Sequence, residues 1–146
     1  VEAGKQLADY WNAAAAASGK YELWVYGTNG YVRVFKGDAL AMDTAAFKPE
    51  VQVCYDPAGG QVYVKVHNTG TVSGTVAVKA NAYRTDGPWS LEVAAGATGM
   101  LHWDLEGSGR WYDFTVTADN LERRFAGRVE TGKPSVSDPA MALHLA

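Results

Sequence analysis

The stretch Ser108–Gly127, SGRWYDFTVTADNLERRFAG, predicts a strand, a short turn and a second strand. A weaker copy, SGKYELWVYGTNGYVRVFKG, occupies Ser18–Gly37, and the two align without a gap at a constant offset of 90 positions. Five of the twenty aligned positions are identical, where about one is expected by chance. The identical pairs are Ser18/Ser108, Gly19/Gly109, Arg33/Arg123, Phe35/Phe125 and Gly37/Gly127. The sequence therefore predicts an internal repeat.

The match continues upstream of both copies. Val1–Gly4 aligns with Val93–Gly96, and Trp11 aligns with Trp103, at an offset of 92. The stretch before Val93 has no counterpart before Val1. We therefore expect the end of one repeat followed by one whole repeat, an arrangement typical of a fragment of a longer protein.

This repeat divides the chain into three predicted parts. Residues 1–46 are the C-terminal part of a first repeat, and residues 47–130 are a complete repeat. Residues 131–146 show no period and carry two prolines, so we expect an extended tail.

Length and composition favour one all-β domain. A chain of 146 residues is long enough for one domain with a core. Sixteen glycines, seventeen aromatic residues (five Trp, eight Tyr and four Phe) and many β-branched residues favour strands. A net charge of −3 gives no reason to expect nucleic acid as a partner. With Cys54 as the only cysteine, no intramolecular disulfide is possible.

Short runs of alternating apolar residues, spaced about ten positions apart, predict the strands. For the complete repeat they are Glu50–Tyr55, Gln61–His67, Thr75–Tyr83, Trp89–Val93, Gly99–Trp103, Trp111–Thr117 and Leu121–Val129. The first copy adds a hairpin of Tyr21–Tyr26 and Tyr31–Lys36. The predicted fold is an immunoglobulin-like antiparallel β-sandwich of about seven strands, preceded by an N-terminal strand and hairpin.

Residues Gly4–Ala17 allow two interpretations. The five alanines Ala13–Ala17 favour a helix. The matching stretch in the second copy, Gly96–Asp104, is instead typical of a short strand. We expect a strand around Lys5–Trp11 followed by an alanine-rich loop, with a helix as the alternative.

Two groups of side chains are candidates for ligand binding. Trp24, Tyr26 and Trp111 could form an exposed aromatic strip for sugars or lipid headgroups. The alternative is that they pack against a second sheet or against the missing part of the first repeat. Residues 123–128, RRFAGR, are the densest basic patch, where Arg123 and Arg124 could bind an anion such as a phosphate headgroup. The alternative for Arg123 is a guanidinium stacked on a core aromatic as part of the framework.

No arrangement typical of catalysis or metal binding is found in the sequence. None of the three histidines has metal-ligand spacing, and Cys54, in mid-strand, is expected to be a buried thiol. Aspartates in predicted turns leave calcium as a minor alternative to turn chemistry. They are Asp56, Asp86, Asp104 and Asp119. We expect no catalytic residue, no metal and no cofactor.

Several segments resemble a known family. They are VEAGK (1–5), YELWVYGTNGYVRVFKGD (21–38), VKANAY (78–83), PWSLEVAAGA (88–97) and SGRWYDFTVTAD with RRFAGRVETGKPSVSDPAM (108–141). The chain resembles the C-terminal repeat domain of bacterial phospholipases C of the phosphocholine-preferring, haemolytic and non-haemolytic type. That domain normally occurs twice in tandem after the catalytic region.

The resemblance implies a role in lipid metabolism. The parent would be a secreted or periplasmic hydrolase, exported by the twin-arginine route, that cleaves phosphatidylcholine or sphingomyelin with active-site residues outside this chain. This chain would be a non-catalytic accessory domain that assists folding, docking to the catalytic domain or contact with a phosphatidylcholine surface. The alternatives are an aromatic-face module for choline, lipid headgroups or sugars, and a scaffold that binds a secretion chaperone.

Overall fold

The computed structural model describes residues 4–6 and 8–144, and within them the chain is a sandwich of two antiparallel sheets. The α-helices are α1 (Ala13–Ala17) and α2 (Ala39–Thr44), and two short 3-10 helices lie at Glu106–Ser108 and Pro139–His144. The strands are β1 (Lys20–Tyr26), β2 (Val32–Asp38), β3 (Pro49–Asp56), β4 (Gln61–Asn68), β5 (Gly74–Ala82), β6 (Trp89–Val93), β7 (Thr98–Asp104), β8 (Trp111–Ala118) and β9 (Leu121–Arg128). One sheet has the order β1-β2-β9-β8-β5-β6 and the other β3-β4-β7. The predicted all-β antiparallel sandwich is confirmed, while its immunoglobulin-like detail stays a prediction.

Alternating valines build the core between the two sheets. Every second residue of β4 is a buried valine, and the first half of β5 follows the same pattern. These residues are Val62, Val64, Val66, Val76 and Val78, all fully buried. Burying one such side chain stabilises the fold by about 1.5 kcal/mol or more. The rings of Trp103 and Phe114 stack beside them with centroids 4.4 Å apart.

Asn68, at the end of β4, holds the loops at one end of the sandwich together. Its side chain is fully buried, and it is the acceptor or donor of five hydrogen bonds to backbone groups. Its oxygen accepts from the N–H of Gly70 (2.9 Å) and Lys48 (3.3 Å), and its nitrogen donates to the carbonyls of Val72 (2.8 Å), Val93 (3.1 Å) and Ala94 (3.1 Å). One side chain thus connects three separate loops.

The N-terminal segment corrects one prediction. The strand expected at Lys5–Trp11 is wrong for the residues described there, and the alanine run forms the helix α1 instead. The Asn12 side chain caps this helix by accepting a hydrogen bond from the Ala15 N–H at 3.1 Å. Since alanine has the highest intrinsic helix propensity, a capped run of five alanines favours a helical turn over a strand.

The connector between β2 and β3 also contains a helix that the sequence analysis did not predict. It is α2, and Asp38 caps it by accepting a hydrogen bond from the Ala41 N–H at 3.0 Å. In the described part of the chain, no helix is long and apolar enough to cross a bilayer.

The two copies of the repeat lie side by side in the six-stranded sheet. Strand β2 of the first copy pairs antiparallel with β9 of the second. Arg33 lies opposite Phe125 and Phe35 opposite Arg123, with Val34 opposite Arg124 at the centre. An approximate two-fold axis through that central pair therefore relates the hairpin β1–β2 to the hairpin β8–β9. Because this axis is perpendicular to the sheet, equivalent residues face the same side.

Candidate functional site

The repeated arginines and phenylalanines lie on the face of the six-stranded sheet that packs on the small sheet. There they form two sets, and a tyrosine completes each set. We call the set Arg33, Tyr112 and Phe125 the closed box. We call its symmetry mate, Arg123, Tyr21 and Phe35, the open box. Each box takes its arginine from one copy of the repeat and its tyrosine and phenylalanine from the other copy, so both boxes join β2 to β9.

In the closed box, the guanidinium of Arg33 binds two backbone carbonyls and the hydroxyl of the box's own tyrosine. Its Nη1 donates to the carbonyls of Val32 and Ala126, both at 2.7 Å. Its Nη2 donates to the Tyr112 hydroxyl at 3.0 Å, and its Cζ lies 5.5 Å from the Phe125 ring centroid. The cation thus has oxygen acceptors in its plane and an aromatic ring on its face.

The open box repeats these contacts one for one. Nη1 of Arg123 donates to the carbonyls of Glu122 (2.9 Å) and Lys36 (3.0 Å). Its Nη2 donates to the Tyr21 hydroxyl at 2.7 Å, and its Cζ lies 5.5 Å from the Phe35 ring centroid. The repeat therefore conserves a hydrogen-bonding pattern as well as residue identities.

The third repeated residue, glycine, makes room for the tyrosine of each box. A Cβ at Gly127 would lie 3.2 Å from the Tyr112 hydroxyl. A Cβ at Gly37 would lie 2.9 Å from the Tyr21 hydroxyl and 2.5 Å from the carbonyl oxygen of Asn120. Only glycine accommodates both contacts at Gly37 without a shift of the backbone.

The boxes differ in what covers them. Tyr55, from β3 of the small sheet, bonds to the Tyr112 hydroxyl at 2.7 Å and accepts from Nη2 of Arg33. Burial and the hydrogen bond to Tyr112 raise the pKa of Tyr55. The Tyr31 ring also covers Arg33, with its centroid 4.0 Å from the Cζ, and Arg33 is 5% exposed. In the described chain, the small sheet supplies no such hydroxyl to the open box. The three side chains of the open box are only half-buried. A groove of about 620 Å³, lined in part by Tyr21, runs beside it.

The tyrosines of the boxes are the site residues that the sequence analysis missed. The ungapped alignment placed Tyr21 opposite Trp111, not opposite Tyr112. A one-residue gap in the hairpin turn would have aligned the two tyrosines. Tyr55 lies outside the repeated hairpin, and only its phase with Val51 and Val53 indicated that it points toward the six-stranded sheet. Its side chain is 41% exposed there.

Two of the three predicted aromatic residues form an exposed strip. Trp24 and Tyr26 are 46% and 69% exposed, with stacked rings 6.0 Å apart and 15° from parallel. The indole Nε1 of Trp24 donates to Oε1 of Glu22 at 3.0 Å. The strip lies on the face of the sheet opposite the boxes, because Trp24 alternates with the box residue Tyr21 and with Leu23.

Trp111 is not part of that strip, since it is only 8% exposed. Its Nε1 donates to the carbonyl of Val136 at 3.2 Å, and the Ser135 hydroxyl donates to the carbonyl of Gly109 at 3.0 Å. The described part of the predicted tail therefore lies along the sandwich and covers Trp111.

Arg124 is held in an ion pair on the same face as the strip. Its Nε and Nη2 donate to Oδ1 (2.9 Å) and Oδ2 (2.6 Å) of Asp113, which is buried. Asn81 donates to the same carboxylate at 2.8 Å. The hydrogen bonds to Asp113 raise the pKa of Arg124. Because Arg123 faces the other side of the sheet, the two arginines do not converge on one ligand.

The buried thiol expected at Cys54 is wrong, because Cys54 is exposed. Val51 and Val53 of β3 face the core, and Cys54 points with Gln52 to the wet face of the small sheet. The aspartates of the predicted turns do not assemble: across residues 4–6 and 8–144, no three His, Cys, Asp or Glu side chains are grouped to hold a metal ion.

Comparison with known proteins places this architecture in a family. The family model described as bacterial phospholipase C, C-terminal domain, matches residues 1–38 and 49–128. The chain is 40% identical over 145 residues to a non-hemolytic phospholipase C of Burkholderia pseudomallei, covering 97% of the chain and 20% of that relative. It is also 40% identical to a non-hemolytic phospholipase C of Pseudomonas aeruginosa (98% of the chain, 21% of the relative). The hemolytic phospholipase C of the same organism is 38% identical (96% and 20%).

The chain thus spans about a fifth of the length of these relatives. A family model that covers most of the chain, together with relatives near 40% identity, shows that the chain belongs to the family of C-terminal domains of bacterial phospholipase C.

Proposed function

We propose that this chain is a non-catalytic accessory domain of an exported phospholipase C. The parent hydrolyses the phosphodiester of phosphatidylcholine or sphingomyelin with residues outside this chain. The domain assists folding of the catalytic domain, docks against it, or contacts the lipid surface.

One observation carries this proposal: the chain accounts for only a fifth of relatives that are themselves named phospholipase C. The roles of its buried polar groups add support. Arg33, Asn68 and Asp113 each bind backbone groups or neighbouring side chains that join strands and loops. They serve the framework and are not directed toward an open cleft.

A second candidate function rests on the strip of Trp24 and Tyr26. Stacked, exposed aromatic rings on a rigid strand are suited to bind choline, a lipid headgroup or a sugar face. An exposed apolar patch on a β-sandwich also marks an interaction site in general. The scaffold for a secretion chaperone is the third candidate, and it would use the same exposed strip.

Co-sedimentation with phosphatidylcholine vesicles tests lipid contact. We expect wild type to sediment with the vesicles and Trp24→Ala to lose most of that binding. The matched control is Met100→Ala, which removes another exposed apolar side chain, on the small sheet (53% exposed). If wild type stays in the supernatant, lipid contact is removed from the proposal and docking to the catalytic domain is left.

An assay of phosphodiesterase activity tests the non-catalytic assignment. The isolated chain should release no phosphorylated headgroup from phosphatidylcholine, whereas the full-length protein should. Turnover by the chain that persists through repurification would overturn the accessory role.

A further inference from the structure

The two-fold relation between the hairpins shows what a complete environment for the open box looks like. In the second copy, β8 is flanked on its far side by β5, and the closed box is covered by β3. In the first copy, β1 takes the place of β8, and the described chain provides neither neighbour. In the described chain, the open box therefore has neither the flanking strand nor the covering sheet of its symmetry mate.

The outer edge of β1 has the geometry to accept another strand. The Gly27 N–H donates to the carbonyl of Tyr31 at 2.9 Å, which fixes the alternation of hydrogen bonds along this hairpin. By that alternation, the backbone groups of Val25 and Leu23 bind β2, whereas those of Glu22, Trp24 and Tyr26 point away from it. A row of free donors and acceptors beside exposed apolar side chains is a template for strand pairing.

The face beside this edge is also without a covering sheet among residues 4–6 and 8–144. Tyr21, Leu23 and Val25 point to the side of the sheet that carries the small sheet elsewhere, and Val25 is 47% exposed. The guanidinium of Arg123 lies there with a hydroxyl from Tyr21 but without a second hydroxyl of the kind that Tyr55 gives to Arg33. The required cover is thus an apolar sheet face that presents one tyrosine.

We propose that β1 and the open box form a docking surface for a second sandwich half of the same design, supplied by the polypeptide upstream of this chain. A strand of the β5 type extends the six-stranded sheet at β1, antiparallel to it. A small sheet of the β3-β4-β7 type covers the open box and brings a tyrosine to Arg123. The two halves then share one continuous sheet, with the two-fold axis at Val34 and Arg124 in its middle.

Two observations favour the same polypeptide as the source. The docking surface continues an interface that already exists, since β2 and β9 hold both copies in one sheet. The relatives are far longer than this chain, which covers 20% or 21% of them, so they carry the additional length that such a half requires. A second copy of this chain would bring its own small sheet already occupied by its closed box.

Proline substitution at the outward-facing Trp24 tests the pairing. Proline there removes only an N–H that faces the free edge, so Trp24→Pro and Trp24→Ala should melt within about 2 °C of each other in this chain. In the full-length protein, Trp24→Pro should lower the melting temperature of this domain by at least about 3 °C more than Trp24→Ala. Val25→Pro is the positive control, because it breaks a β1–β2 hydrogen bond and should destabilise both proteins. Equal effects of the two Trp24 variants in the full-length protein would overturn the proposal.

Amide hydrogen exchange of the unmutated proteins provides a second test. Amides 22, 24 and 26 should exchange at least about tenfold more slowly in the full-length protein than in this chain. Unchanged exchange would overturn the proposal. Protection in this chain alone that rises with protein concentration would also overturn it, in favour of pairing between two copies.

Discussion

The closed box and the open box contain the same three residue types with the same hydrogen bonds, yet one is core and the other is surface. Arg33 is 5% exposed beneath Tyr55, whereas Arg123 is half-buried. The difference lies in two covers. Strand β3 brings Tyr55 to only one side of the two-fold axis. The Tyr31 ring also lies 4.0 Å from the Arg33 Cζ, whereas the residue aligned with Tyr31 in the second copy is Leu121. Local sequence therefore determines the contacts within each box, and the layer above determines how much those contacts stabilise the fold.

The largest expected effect comes from removing the phenylalanine of each box. Phe125→Ala should lower the free energy of unfolding by about 4 kcal/mol, because it opens a cavity in a packed core. Phe35→Ala should cost about 1.5 kcal/mol, because its ring is half-exposed and water fills the space. Urea denaturation measures both. If Phe125→Ala does not fold, Phe125→Leu should still cost more than Phe35→Leu, and equal costs would contradict the comparison.

The next effect concerns the two arginines. Arg33→Ala should cost about 3 kcal/mol, since it leaves two tyrosine hydroxyls and the Ala126 carbonyl short of a buried donor. Arg123→Ala should cost about 1 kcal/mol, because water can replace the guanidinium there. Chemical denaturation of both variants at the same salt concentration measures the two losses in free energy of unfolding. Arg33→Lys should recover only part of the loss, since an ammonium cannot reproduce the planar fork. Full recovery by lysine would show that charge alone is required.

A smaller effect should follow from removing the Tyr55 hydroxyl, which covers the closed box. Tyr55→Phe keeps the ring and removes the bonds to Tyr112 and Arg33, so it should cost about 1 kcal/mol. The matched control is Tyr63→Phe, whose hydroxyl donates to the Gln61 side chain at 2.6 Å on the wet face of the small sheet. That control should cost under about 0.5 kcal/mol. A Tyr55 variant as stable as the control would mean that Tyr55 covers the box only by its ring.

The smallest effect is one of pH. Burial raises the pKa of Tyr55 in the folded protein above its usual value of about 10, so the folded state holds that proton more tightly than the unfolded chain does. This contribution to stability is complete below about pH 10 and is lost as pH rises from there toward the folded-state pKa. The melting temperature should therefore decline between about pH 9 and about pH 11, which bracket the usual tyrosine pKa of about 10. The melting temperature of Tyr55→Phe should decline less over the same range. Identical slopes would contradict the assignment to Tyr55.

The sequence was sufficient to predict the strands and the sandwich. Alternation such as Val62, Val64 and Val66 reports directly which face of a strand is buried, because the side-chain period of a strand is two. The repeat also identified the three framework residues arginine, phenylalanine and glycine. The sequence could not indicate that the second sheet covers one copy and not the other, since that depends on where β3 lies in space.

A difference in hairpin register explains why the alignment of the two copies did not pair Tyr21 with Tyr112. Asp38 and Arg128 are 90 positions apart, whereas their pairing partners Lys20 and Trp111 are 91 apart. The hairpin turn of the first copy is thus one residue longer, and an ungapped alignment misplaces the whole first strand. The same shift puts Ser18 in the place of Gly109, and both adopt positive φ angles, 52° and 64°.

The strand prediction for the N-terminal segment was wrong for a different reason. The strand prediction at Lys5–Trp11 relied on homology to β7, which is a strand because it pairs with β4. The described residues of Lys5–Trp11 have no such partner and form no strand. Local propensity then decides the next segment, where Ala13–Ala17 form a helix. A repeat predicts structure reliably only where both copies have the same neighbours.

Asn68 has a consequence for how the sandwich opens. Its five hydrogen bonds reach backbone groups at Lys48, Gly70 and Val72 on one side and at Val93 and Ala94 on the other. If one of these loops opened alone, the side chain would lose partners while still shielded from water, and unpaired buried groups are costly. The loops should therefore fluctuate as one cooperative unit, with a shared opening rate instead of three separate ones.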